Sequence, residues 1–130
     1  MDLRVTRAAL DGMRATARDS APDECCGLLL GRERIEEARP AANVAAEPRR
    51  RFEIDPQALV DAHRVARNGG PEIIGYYHSH PAGPATPSIT DRAMASGDGR
   101  VWAIVGTDGV TFWRDDEHGF VSLSYTIEDR

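Results

Sequence analysis

Residues 72–91 read EIIGYYHSHPAGPATPSITD, and this stretch combines a strand, a stiff loop and the start of a helix. Glu72 to Tyr77 is a β-branched and aromatic run with the composition of a strand. Extended through His80, that strand places His78 and His80 two residues apart on one face, with Ser79 as the single spacer. Pro81 cannot donate to a ladder and is expected to end the strand. Residues 81–87 hold three prolines and one glycine, a short loop able to carry the next element back over the histidines. Ser88 and Asp91 then have the S-x-x-[DE] spacing of a capping box, and Arg92 to Ala95 continues as helix.

Two imidazoles and one carboxylate, His78, His80 and Asp91, thus arrive within fourteen residues. Three N/O protein ligands with an open position is the donor set of a catalytic zinc rather than of a closed structural site. Zinc lowers the pKa of a bound water to about 7, which points to hydrolysis. The plainer reading is that Ser88 and Asp91 only cap a helix. A hydrolytic site also needs a proton acceptor that is not itself a ligand. The candidates lie far upstream, where Asp23 and Glu24 directly precede the apolar run Cys25 to Leu30. Spacing alone does not choose between them.

The two segments together, PDECCGLLLG at 22–31 and HSHP followed by SITD at 78–91, resemble the JAMM (MPN-plus) metalloprotease family, whose pattern is matched without departure. The resemblance spans nearly all of the chain. It implies that His78, His80 and Asp91 hold Zn2+, that Glu24 is the general acid/base, and that Ser88 donates to the oxyanion. Ser79 stands at the family's Ser/Thr spacer and is expected to be structural. The resemblance also implies cleavage at the C-terminal Gly-Gly tail of a ubiquitin-like or sulfur-carrier protein. Little lies between His80 and Ser88 beyond the motif, so the chain looks like a small stand-alone prokaryotic member. A Gly-Gly tail can lie extended as an added strand, and a sheet edge beside the zinc is expected to supply its groove.

Other readings give different expectations. A peptide-processing JAMM peptidase of cell-wall or phage type would share every ligand. A non-catalytic MPN scaffold would lack the ligands that this chain has. A zinc nucleobase deaminase would need H-x-E and P-C-x-x-C, and neither occurs.

The 130 residues are expected to form one domain, residues 1–130, with a proper core. A hydrophobic share of 41% and a charged share of 28% are ordinary for a globular protein. No apolar run approaches the roughly 18 residues of a membrane span. Met1 to Val5 has no signal-peptide core, so a cytoplasmic location is expected. A net charge of −5 makes nucleic acid a poor partner. Arg49, Arg50 and Arg51 read as a solvated turn. Adjacent Cys25 and Cys26 lack C-x-x-C spacing and read as core thiols on opposite faces of a strand.

Around these motifs the chain reads as a mixed α/β domain of the α+β type. A central mixed, largely antiparallel sheet is flanked by helices, and the resemblance implies a JAMM/cytidine-deaminase-like architecture. Leu3 to Val5 is a short strand, and Thr6 caps a helix to about Ala17, with Leu10 and Met13 on one side. Ile35 to Ala42 is a weaker strand turned by Pro40, and Phe52 to Ile54 is extended. Asp55 and Pro56 open a helix carrying Leu59, Val60, Ala62, His63 and Val65, which stops at Asn68-Gly69-Gly70. Val101–Val105, Val110–Trp113 and Phe120–Ile127 are strands. His63 and His118 read as a helix-face and a solvated histidine, and Trp102 and Trp113 as packing residues.

Overall fold

In the computed structural model, residues 3–129 are described. Met1, Asp2 and Arg130 lie outside them, and with them the first two residues of the Met1–Val5 stretch. The elements in chain order are β1 (Leu3–Thr6), α1 (Arg7–Ser20), β2 (Cys26–Gly31), β3 (Ile35–Ala41), α2 (Pro56–Arg67) and β4 (Glu72–Ser79). They continue with α3 (Ile89–Met94), β5 (Val101–Gly106), β6 (Gly109–Asp116), β7 (Gly119–Leu123) and β8 (Tyr125–Glu128).

All eight strands join one sheet in the order β7-β6-β5-β4-β2-β3-β1-β8. Antiparallel pairs outnumber parallel ones, the parallel neighbours being β4/β5, β1/β3 and β1/β8. β7 and β8 stand at opposite ends of this order, yet only Ser124 separates them in the chain. The sheet must therefore curl until its two edges adjoin. The closure is visible where Tyr125 donates its hydroxyl to the Val110 carbonyl at 3.1 Å and packs its ring on Phe112.

Each face of the sheet carries its own core. On one face, side chains from six strands converge on α1, where Leu10 and Met13 meet Leu29, Ile35, Tyr77, Ala103 and Phe112. α1 starts at Thr6, whose Oγ1 accepts the Ala9 amide at 3.1 Å, as a helix cap should. On the other face Cys26, Leu28, Leu30 and Trp102 pack with Phe52, Ile54 and Ala62 of α2. Cys25 and Cys26 follow the strand alternation, one thiol to each core, and both are buried and free. Gly27 is required here: a Cβ at that position would lie 2.3 Å from the Tyr77 ring, which crosses β2.

Three expectations change. Pro40 does not turn its strand; it pairs with Gly27 inside β3. β1 reaches β3 only at Ile35, so at Pro40 the strand has a neighbour on one side and the missing N–H costs no ladder bond. The stretch 120–127 is two strands, because Ser124 is where the chain leaves one sheet edge for the other. α2 buries only a narrow stripe around Ala62, and Val60 and Val65 face solvent. Among the described residues no helix is long and apolar enough to cross a membrane.

Candidate metal centre

Alternation along β4 sends Tyr77 and Ser79 toward the α1 core, and His78 and His80 toward the opposite face. His80 follows the last residue of β4, and its amide bonds the Val105 carbonyl at 2.8 Å, so the chain stays extended through both histidines. The 81–87 loop is pinned to the β5–β6 turn. Thr107 N donates to the Gly83 carbonyl and Ala85 N to Asp108 Oδ1, both at 2.9 Å. Gly106 is bare so that Pro84 and Ala85 can rest on it; a Cβ there would lie 2.3 Å from Ala85 N. The same loop presents the Pro84 carbonyl to His80 Nδ1 at 2.8 Å. A carbonyl can only accept, so Nδ1 carries the hydrogen and Nε2 keeps its lone pair.

The loop returns the chain at Ser88, the N-cap of α3, and a capping box forms. Asp91 N donates to Ser88 Oγ and Ser88 N donates to Asp91 Oδ2, each at 3.0 Å. Capping does not exhaust Asp91. Its Oδ1 lies 3.0 Å from His78 Nε2, its Oδ2 lies 3.1 Å from His80 Nε2, and the two Nε2 atoms are 3.1 Å apart. Each imidazole thus meets a different oxygen of Asp91; ligands around a tetrahedral ion with bonds of about 2.0–2.1 Å stand ~3.3 Å apart, so separations of 3.0–3.1 Å are of the right size for zinc. Two imidazole nitrogens and a carboxylate converging this closely call for a cation among them. Among the described residues no other trio of His, Cys, Asp or Glu side chains converges in this way.

The surroundings tune each group. Burial pulls the His78 pKa down and keeps the ring in the neutral form that ligates a metal. Phe52 stacks on that ring at 4.3 Å and 18°, and Trp102 meets it edge-on. Burial also pulls His80 down, but Asp91 and the Pro84 carbonyl outweigh it and leave the ring raised. Burial would push the Asp91 carboxyl up. Its contacts with His78, His80 and the Ser88 amide instead hold it well below the usual carboxylate range. The Ser88 hydroxyl oxygen accepts the Asp91 amide, which leaves its hydrogen free to donate.

Glu24 lies two residues before β2. Cys26 pairs with His78, and the ladder is extended by Ser79 N to the Cys25 carbonyl and Cys25 N to Ser79 Oγ, at 3.2 and 2.9 Å. Continuing that antiparallel register sets Glu24 across from His80. Ser79 thus has the structural part expected of it. Glu24 is 8% exposed and its Oε1 has no hydrogen-bond partner. Burial pushes its pKa up to about 7, with His80 pulling down and Asp91 pushing up. Asp23, the other candidate, sits half-exposed beside Arg49. The structure therefore separates two carboxylates that spacing could not.

Outside this cluster, His63 is exposed on α2 and His118 lies in an exposed turn beside Glu117. The arginine triplet is solvated, with Arg51 near Glu47. The expected sheet edge beside the histidines is not found. β4 is paired on both sides, and the edges are β7 and β8. Phe52 and Trp102, the rings packed on His78, also line a mostly apolar hollow of about 250 Å³ shared with Leu59, Tyr76 and Met94 and edged by Glu53, Ser96 and Asp98. Phe52 and the Pro84 carbonyl carried no local sequence signal of their roles, since both act across the fold.

Comparison with known proteins places the chain in context. A profile of prokaryotic homologs of the JAB domain matches residues 6–116. The chain is 38% identical over 136 residues to a desampylase of Haloferax volcanii, covering 97% of this chain and 96% of that protein. It is 40% identical over 109 residues to a probable TtuB-protein conjugate cleaving protease of Thermus thermophilus, covering 83% and 72%. It is 33% identical over 129 residues to the CysO-cysteine peptidase of Mycobacterium tuberculosis, covering 96% and 83%. A solution structure of a Desulfitobacterium hafniense protein superposes with a TM-score of 0.88 at 27% identity, covering 98% of this chain and 94% of that one.

Proposed function

The chain belongs to the prokaryotic JAB-domain family, and on that premise we propose that it is a zinc metallopeptidase. Its substrate is a ubiquitin-like or sulfur-carrier protein, cut at the amide bond that follows a C-terminal Gly-Gly tail. One observation carries the reading: His78, His80 and Asp91 converge within hydrogen-bonding distance of one another, and the buried Glu24, whose Oε1 has no partner, follows the β2–β4 register to a place beside His80. Relatives named as a TtuB-protein conjugate cleaving protease and a CysO-cysteine peptidase support the substrate class.

His78, His80 and Asp91 would hold zinc, which when bound supplies Lewis acidity to a water and to the scissile carbonyl. Glu24 takes the proton of the attacking water and passes it to the leaving amine. A carboxyl tuned to about 7 can do both near neutral pH. Ser88 donates its free hydroxyl hydrogen to the carbonyl oxygen as that oxygen gains charge. Phe52 and Trp102 exclude water from the buried side of His78.

Intact-mass spectrometry tests this. The zinc-loaded protein is incubated with small Gly-Gly-tailed proteins bearing C-terminal extensions or a terminal cysteine, with Glu24→Gln as control. Loss of the extension with wild type alone is expected, and replacing the two glycines by bulky residues should stop it. Intact masses for every carrier, with zinc bound, would overturn the carrier reading.

A further inference from the structure

Glu24 precedes β2, so the sheet ladder does not hold its backbone. The segment 43–53 holds it instead. Glu24 N donates to the Pro48 carbonyl at 2.7 Å, and the Glu24 carbonyl accepts from Asn43 Nδ2 at 2.9 Å. The Asn43 amide is fully used. Its Nδ2 also donates to the Arg51 carbonyl at 3.1 Å, and its Oδ1 accepts from Ala45 N at 3.1 Å and Glu53 N at 3.0 Å. Two donors and two lone pairs are all that an amide side chain has, and only one orientation of it satisfies two carbonyls and two N–H groups. The Arg51 carbonyl and Glu53 amide so gripped flank Phe52, the residue stacked on His78. One side chain therefore ties the backbone of the carboxylate to the residue that backs a histidine of the metal centre.

We infer that Asn43 is a positioning residue, which fixes the place of Glu24 relative to His78 by clamping residues 43–53 against both. The inference rests on the proposed peptidase reading for its consequence in turnover, but not for its geometry. Asn43 touches no reacting atom. It acts through Glu24 on one side and through Phe52 on the other. Its donor half makes the link to Glu24, because one Nδ2 bond leaves the segment for the Glu24 carbonyl, whereas the bonds to Arg51, Ala45 and Glu53 hold the segment itself in shape.

Asn43→Asp separates these halves, since it keeps the two acceptor bonds and removes both donors. Asn43→Ala removes all four. A displacement near 1 Å can cost up to about 100-fold in rate. For Asn43→Asp we expect kcat on a cleaved carrier to fall roughly 10- to 100-fold with KM and zinc stoichiometry unchanged. In the zinc-free protein, the upfield ring-current shift that Phe52 imposes on the His78 ring protons should shrink in both variants. Asn43→Asp with wild-type kcat and an undiminished His78 shift would overturn the inference. A loss in KM or zinc content in place of kcat would also overturn it. If wild type cuts no carrier, the function reading fails alone, and the His78 shift still decides the role of Asn43.

Discussion

Tyr77 and Ser79 are buried against the core under α1, while His78 and His80, one residue along, face Asp91 and Glu24. The same two strands, β2 and β4, thus carry only an apolar core on one side, and on the other a second core that gives way at one end to Glu24, His78 and His80, which Asp91 meets from α3. Burying polar groups is costly unless they are paired. Here His78, His80 and Asp91 pair with one another, and Glu24 Oε1 and His78 Nδ1 are left without a partner. Period-two alternation is what lets both environments share one backbone. The apolar side supplies rigidity, and the polar side, held in place by it, keeps groups that would otherwise seek water. The lesson is a division of labour that substitutions on either face can test.

The largest effect is expected from Glu24→Gln, which keeps the shape and removes the proton acceptor. Turnover should fall roughly 100- to 10,000-fold with zinc retained, as read by rate and metal content. Ser88→Ala comes next. Loss of an oxyanion donor costs about 2.7–4 kcal/mol in the barrier, and loss of the N-cap costs about 1 kcal/mol of stability. Kinetics and thermal melting report the two separately. Leu29→Ala crosses to the other face. With Leu29 fully buried under α1, unfolding should become easier by roughly 3 kcal/mol, with zinc stoichiometry unchanged. A Leu29→Ala protein that folds but loses zinc would break the comparison, since the two faces would then not be separable.

The smallest effect is in pH dependence. Burial raises Glu24 from an ordinary 4.5 to about 7. The folded state therefore favours the protonated carboxyl, and the stability it contributes is fully present below about 4.5 and is lost as pH rises through 7. Metal-free wild type should melt progressively lower than metal-free Glu24→Gln across that window. Parallel melting curves would show that Glu24 titrates normally.

Much of the polar face was legible because it is local. The strand through His78, the three-proline loop and the Ser88–Asp91 capping box lie in one stretch, and each follows from side-chain chemistry at short range. The family motif singles out Glu24 over Asp23, but the physical difference between them, burial across from His80, follows from the β2–β4 register, a contact across some fifty residues that periodicity does not encode. The same holds for Phe52 on His78 and for the Asn43 clamp. Pro40 inside β3 misled because its effect depends on whether a neighbour strand is present, which is a property of the sheet. The break at Ser124 was hidden because both flanking strands carry aromatic and β-branched residues, and only the curl of the sheet separates them.

Zinc stoichiometry and affinity, measured by competition with a chromophoric chelator across wild type, Glu24→Gln, Ser88→Ala and Asp91→Ala, test the central claim most directly. One tightly held zinc is expected in the first three and a large loss of affinity in Asp91→Ala, with the protein still folded. Retention of zinc by a folded Asp91→Ala protein, or its loss from Glu24→Gln, would contradict the assignment of His78, His80 and Asp91 as the ligands and of Glu24 as the group beside them.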